Sequence, residues 1–349
     1  MQVHRRIITF LFLFASAMMA QDAMAQDVHF SQYRQAPLML NASNTGNFEG
    51  DYRAGINYRN QWSSFIKPYA TTSGFFDKYF TKGFLDKVGL DNDSWGAGMV
   101  LYSDKAGTAI FSTQAVYGNL AYHYKLDADG KQLISIGVQG GVIQKGINYD
   151  ELKFGNQYTS VFYNDELSSN ETFVETNITY PAIHAGVGYQ MEYNDKLDLN
   201  AGFSMFNLNQ PSESFFGADD NALNTRMSLT LGAEYIYSPL ISIHPGVLFS
   251  GQAKAYEYLI GSDVEYTIKD VPLTKIAAYL GLWYRSTDAL ILVPGLAYNN
   301  YRVALSYDIN ISSLSNASSG RGAIELSIVY IFNTNPKLGI KRSVPCKRL

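Results

Sequence analysis

"GDYRAGINYRNQW", residues 50–62, alternates between two kinds of side chain. Tyr52, Ala54, Ile56, Tyr58 and Trp62 share one parity, and Arg53, Gly55, Asn57, Arg59 and Gln61 share the other. A period of two belongs to a β-strand, whose successive side chains point to opposite faces. In a soluble sandwich the apolar face would be the core. Here the opposite face carries arginines, so the tyrosine side is read as facing lipid and the arginine side as facing an enclosed lumen.

The pattern repeats along the chain. Candidate strands run over 50–62, 69–80, 94–104, 111–125, 132–145, 180–194, 196–206, 225–238, 240–254, 256–268, 274–286, 289–299, 300–311 and 322–333. Each is near the roughly 9–11 residues that a tilted strand needs to cross the hydrocarbon layer. In "PAIHAGVGYQMEY" (181–193) Ile183, Ala185, Val187, Tyr189 and Met191 oppose His184, Gly186, Gly188, Gln190 and Glu192. In "TRMSLTLGAEYIY" (225–237) Met227, Leu229, Leu231 and Tyr235 oppose Arg226, Ser228, Thr230 and Glu234. The polar sets hold Gly, Ser, Gln and isolated charges of both signs, as a barrel interior does. With 26 Tyr, 20 Phe and 29 Gly and a mean hydropathy near zero, the chain is rich in aromatics without long apolar runs. The expected fold is an all-β, antiparallel outer-membrane barrel of about 14 strands.

The first residues read as an export signal. His4, Arg5 and Arg6 precede an apolar run from Ile7 to Ala20, and Ala23-Met24-Ala25 offers small residues at a cleavage site. The run is shorter than the roughly 20 residues of a membrane-spanning helix, so 1–25 is assigned as a Sec-type signal peptide. Once Arg5, Arg6 and Asp22 have left with it, 30 acids face 25 bases, a net charge of −5. That balance argues against a nucleic-acid partner. The single cysteine, Cys346, cannot form an internal disulfide.

Tight turns are legible at 127–131, 193–196, 237–240, 285–289 and 299–300, and long polar links at 81–94, 146–179, 207–224 and 311–321. Short turns on one rim and long loops on the other are expected, the short ones periplasmic. Two segments stand outside the strand series. Residues 26–49 form a periplasmic or plug segment without periodicity, and residues 334–349 form a tail with Lys337, Lys341, Arg342, Lys347 and Arg348 and no acid. The barrel is assigned to 50–333.

An enzyme must be sought first among the histidines. His184 and His244 take the interior parity of their strands, and Ser242 and Ser250 share it with His244. No nucleophile, base and orienting carboxylate can be placed at one height, so these residues read as a lumenal polar network. No His or Cys pair has metal-ligand spacing, and the acidic stretches 91–93 and 218–220 lack the periodic donors of a calcium loop. No catalytic, cofactor or metal site is expected. Interior Arg53, Arg59, Arg226, Arg285 and Arg302 against Glu192, Glu234, Asp198 and Asp308 fit either a pore lining or a charge-paired, filled lumen, since enclosed charges must be paired or hydrated.

The stretch from Gln26 onward resembles the opening of the PorP/SprF family, outer-membrane proteins of the Bacteroidetes type IX secretion system. The matching residues are Gln26, Asp27, His29 to Tyr33, Ala36 to Leu38, Leu40, Asn41, Thr45, Gly46, Gly50 to Arg53 and Tyr58 to Trp62. The family's Asn-Pro-Ala stands here as Asn41-Ala42-Ser43, and its terminal Cys-Pro-Arg-Phe as Cys346-Lys347-Arg348-Leu349. Further similarity covers 150–158, 207–217, 280–314 and 320–332. The resemblance implies a non-enzymatic barrel that helps secrete or retain a large adhesin-like protein, in gliding motility or in simple secretion. Its implied partners are type IX secretion components, a peptidoglycan-bound periplasmic protein and outer-membrane lipid. His29, Phe30, Ser31, Gln32, Tyr33, Pro37, Asn41, Lys341, Arg342 and Cys346 are the expected partner contacts, and loop 146–179 the expected holder of the exported protein. The alternative is a transport channel for small solutes.

Overall fold

The computed structural model describes residues 30–62, 69–80, 93–107, 111–149, 152–159, 161–170, 176–215, 221–271, 274–313 and 315–333. Residues 1–25, read from the sequence as a signal peptide, and His29, Lys341, Arg342 and Cys346 lie outside the described residues.

Fourteen strands close into one antiparallel barrel. They are β1 (Tyr52–Gln61), β2 (Tyr69–Phe80), β3 (Asp93–Ala106), β4 (Phe111–Lys125), β5 (Gln132–Ile147), β6 (Asn177–Asn194), β7 (Leu197–Phe206), β8 (Arg226–Ser238), β9 (Ile241–Gln252), β10 (Ala255–Val271), β11 (Thr274–Arg285), β12 (Ala289–Tyr298), β13 (Tyr301–Asn310) and β14 (Arg321–Phe332). Each pairs with its neighbours in sequence, and β1 closes on β14 from Tyr52 opposite Phe332 to Gln61 opposite Ala323. Closure leaves no unpaired edge, which is the condition for a sheet to exist in hydrocarbon. Among the described residues no helix is long and apolar enough to cross a membrane.

The two faces follow the parity of the sequence. In β1, Arg53 and Asn57 are fully buried and Arg59 nearly so, whereas Ile56 and Tyr58 are about half exposed. Along β4 and β5, Val116, Leu120, Ile136, Val138 and Val142 point outward, while Asn119, His123, Ser135 and Gln139 are buried inside. At the rim where β1 begins and β14 ends, outward aromatic rings gather: Tyr301 stacks on Tyr330 at 4.1 Å, and Tyr330 meets Phe332 edge-on at 4.1 Å. Amphipathic rings of this kind belong at the water–lipid boundary.

Of the connections named from the sequence, two depart from the expected division of rims. Link 81–92 joins β2 to β3 on the rim of the tight turns, the rim that also holds both ends of the barrel. The short 286–288 turn joins β11 to β12 on the opposite rim, beside the long 148–176, 207–225 and 311–320 connections. Loop length therefore marks the rims less strictly than strand parity marks the faces, because pairing constrains the strands and leaves link length free.

Leu120 lies outward near the middle of β4. Leu120→Arg should destabilise the barrel by about 2–4 kcal/mol, the cost of a cation at the bilayer midplane. Reversible unfolding from lipid vesicles measures this.

Candidate functional site

The lumen is occupied by the chain itself. Between Phe30 and Gly50 all residues but Arg34, Met39, Leu40, Asn44 and Glu49 are buried, with Leu38, Ser43 and Thr45 fully so. The segment advances through a 3-10 turn at Tyr33–Gln35, one α-helical turn at Pro37–Leu40 and a second 3-10 turn at Ala42–Asn44. Pro37 opens the helical turn, where its missing N–H removes no bond. Asn41 caps the next turn by accepting from the Ser43 N–H at 2.9 Å, and its amide donates to the wall carbonyls of Val187 (3.0 Å) and Phe203 (3.3 Å).

Near the long-loop rim, four charged side chains surround Ser31. Its backbone N–H donates to Glu325 Oε2 (2.8 Å), and its hydroxyl donates to Asp308 (2.8 Å). The Gln32 N–H donates to Glu325 Oε1 at 3.0 Å. Arg59 bridges Asp308 (2.9 Å) and Glu325 (3.3 Å), while Arg285 donates to Asp308 (3.1 Å), Asp288 (3.0 Å) and the Ser31 oxygen (2.6 Å). Two guanidinium groups thus face two buried carboxylates, and the inner segment supplies the donors that complete the set.

A second anchor lies toward the opposite rim. Arg53 makes a two-pronged pair with Asp77, Nε to Oδ1 at 3.0 Å and Nη2 to Oδ2 at 2.8 Å, and both side chains are completely buried. The pair also grips the segment: Asp77 accepts from the Gly46 N–H (2.7 Å), and Arg53 donates to the Asn44 carbonyl (2.9 Å) and covers the Phe48 ring at 4.7 Å. Midway, Arg34 donates to the carbonyls of His244 (3.0 Å) and Pro245 (2.8 Å), and to Asp263 at 3.3 Å. His123 Nε2 lies 2.8 Å from the Thr45 carbonyl, so that nitrogen carries the proton and Nδ1 accepts from Ser135 at 2.7 Å.

The wall is shaped to this cargo. A Cβ on Gly137 would stand 2.3 Å from the backbone of Ala42 and Ser43, and one on Gly96 would stand 2.0 Å from the Thr45 carbonyl oxygen. Both glycines are where the wall backbone and the inner backbone come into direct contact.

The predicted residues fall into distinct groups. Phe30, Ser31, Gln32, Tyr33, Pro37 and Asn41 are all buried in the lumen, and none offers an exposed side chain to a partner. Arg53, Arg59, Arg285 and Asp308 join the two ionic anchors, and Arg302 donates to Glu265 at 3.0 Å. Glu192, Asp198 and Glu234 stand opposite one another on β6, β7 and β8, partly exposed. His244 and Ser242 share a hydrogen bond of 3.0 Å and are both buried. His184 lies elsewhere, its Nδ1 accepting from the Asn207 N–H at 2.9 Å and its ring between those of Tyr117 and Phe206. The two histidines line different cavities, one of about 160 Å³ bounded by Arg34, Leu40 and His244, the other of about 190 Å³ bounded by Met39 and His184.

Asp77, Glu325, Arg34 and Asp263 were not among the expected lumen residues. The first two had a legible signal. Each is an isolated acid at interior parity, directly opposite an arginine: Asp77 faces Arg53 and Glu325 faces Arg59 across the sheet. Among the described residues no group of His, Cys, Asp or Glu could hold a metal ion.

Two substitutions probe these anchors. Asp77→Asn leaves Arg53 buried without its counter-charge and should destabilise the protein by about 3–5 kcal/mol, read as a lowered denaturant midpoint. Gly137→Val should displace the inner segment while the barrel persists: in a Cys346→Ser background, a Ser43→Cys thiol should resist maleimide in the parent and react with it in the Gly137→Val protein.

The comparisons agree with this architecture. The Pseudomonas putida toluene transporter TodX superposes with a TM-score of 0.50 at 11% identity, covering 87% of this chain and 93% of that one. The Ralstonia pickettii toluene transporter TbuX gives 0.48 at 10% identity, with 85% and 92% covered. At 11% identity the TodX likeness is one of fold. The comparison with curated proteins returned no match. The model of the type IX secretion system membrane protein PorP/SprF matches residues 23–330. On that match, which spans nearly the whole barrel and the segment inside it, the chain belongs to the PorP/SprF family of type IX secretion system membrane proteins.

Proposed function

We propose that this outer-membrane barrel works by recognition and without chemistry, as a self-plugged scaffold that helps secrete and retain a large adhesin-like protein at the cell surface. The observation that carries the reading is the inner segment, held at both ends by buried ion pairs and fitted against glycine-lined wall. A segment bonded this way closes space that an open pore would leave to water. Arginine–carboxylate pairs satisfy the charges at the two anchors, so these need no permeating solute to hydrate them.

With its side chains turned to the wall, the inner segment contributes rigidity, and partner contact passes to the rims. The rim of the tight turns faces the periplasm, following the usual orientation of bacterial barrels. There the barrel ends and the basic tail meet secretion components or a peptidoglycan-bound protein. The opposite rim carries the 148–176 and 207–225 connections and holds the exported protein. Exposed Val161, Tyr158 and Phe162, at 80%, 63% and 58% accessibility, are its most prominent apolar contacts in the described loop.

The experiment is crosslinking and affinity purification of tagged protein from native outer membranes, paired with planar-bilayer conductance. The expected result is copurification of a large secreted protein with type IX components, and no steady conductance. A barrel that comes down alone and conducts would replace this reading with a solute channel. Removing residues 148–176 should abolish capture of the exported protein while the barrel still inserts, checked by its heat-modifiable migration.

A further inference from the structure

The 190 Å³ cavity below the long-loop rim has the character of a binding pocket. One wall is a row of flat groups. The Tyr117 ring lies 5.2 Å from that of His184, His184 lies 5.2 Å from Phe206, and the Arg226 guanidinium sits 4.0 Å over Phe206. Met39, from the inner segment, also lines the cavity, and a thioether packs well against aromatic rings. Tyr102, Ile143 and Tyr180 add apolar surface, and an ion pair between Lys145 and Glu213 borders the same space.

Asn207 supplies the polar element. It is 2% exposed, it lines this cavity, and its side-chain nitrogen has no hydrogen-bond partner. Its backbone holds a positive φ of 57°, a conformation that asparagine tolerates better than most residues. Its backbone N–H is committed to His184 Nδ1 and its carbonyl to Thr225 Oγ1. A buried amide donor without an acceptor is unusual in a folded protein and calls for an explanation.

Size narrows the ligand. A cavity of about 150 Å³ takes one benzene ring, and this one is slightly larger. We propose that the cavity binds a single hydroxylated aromatic ring, laid against the Tyr117–His184–Phe206 wall with its oxygen accepting from Asn207 Nδ2. Such a ring is a phenol, either free or as the side chain of a tyrosine in a polypeptide reaching the long-loop rim. The tyrosine source rests on the proposed role of that rim, whereas the ring site itself does not.

Calorimetric titration of the purified full-length barrel in detergent tests the site with p-cresol, toluene and N-acetyl-tyrosinamide. p-Cresol should bind about tenfold more tightly than toluene, the difference made by one net hydrogen bond. Asn207→Gly, which keeps the positive φ and removes the donor, should remove that preference. Thr113→Phe, which fills the cavity from β4, should abolish binding of all three while unfolding at the parent temperature. Binding of N-acetyl-tyrosinamide assigns the site to a side chain, and its failure beside p-cresol binding assigns it to a free phenol. Absence of p-cresol binding, or binding that persists unchanged in Thr113→Phe, overturns the proposal. None of these outcomes depends on capture of a secreted protein, so failure of the site and failure of the scaffold reading are separately visible.

Discussion

Hydrocarbon offers no hydrogen bonds, and the rest of this structure follows from that absence. Every backbone N–H and C=O at membrane depth must find a partner within the protein, and a sheet achieves this only by closing on itself. Here closure is completed by the pairing of β1 with β14, strands joined by the full length of the barrel. A closed sheet has an outside and an inside, and each strand must serve both. Outward positions then become Ile, Leu, Val and Tyr, and inward positions collect the polar residues that lipid would reject.

Closure of fourteen strands creates an interior too wide for the wall's own side chains to fill. The protein fills it with the chain that precedes β1. Three short turns carry it between the two ionic anchors. Its polar backbone, which would be costly in an apolar core, is matched by carboxylates, carboxamides and carbonyls from the surrounding strands. Charges that are hazardous singly become anchors when they are paired and also bonded to the segment, as Asp77 is to Arg53 and Gly46.

This arrangement separates structural from functional surface. The sheet and its inner segment form a rigid support, and the connections on the long-loop rim vary in length at no expense to pairing. The cavity lined by Met39 and His184 lies where the two meet, since its walls are strands and its neighbour Glu213 belongs to a rim loop. Family membership places the barrel in a secretion system; the filled interior leaves the rims as the surfaces where the proposed recognition would act.

The strands were legible because lipid and lumen impose opposite demands on alternate residues, so a period of two was written into every crossing. Strand bounds, face assignment and most interior charges could be read from parity alone, as Arg53, Arg59, Arg285 and Asp308 illustrate. The rim of link 81–92 could not, because link length carries no obligation to either rim. Nor could the place of residues 30–49, whose polar side chains suit a partner or a lumen equally until the wall is assembled around them. Nothing in the sequence singles out Gly137 and Gly96; only the approach of another backbone to within contact distance gives them their role. By itself, then, the sequence determined a lipid-facing, antiparallel barrel, since alternation is a local property of each strand. Tertiary structure alone decided what fills it, because which residues meet across the lumen depends on closure, register and the path of the inner chain.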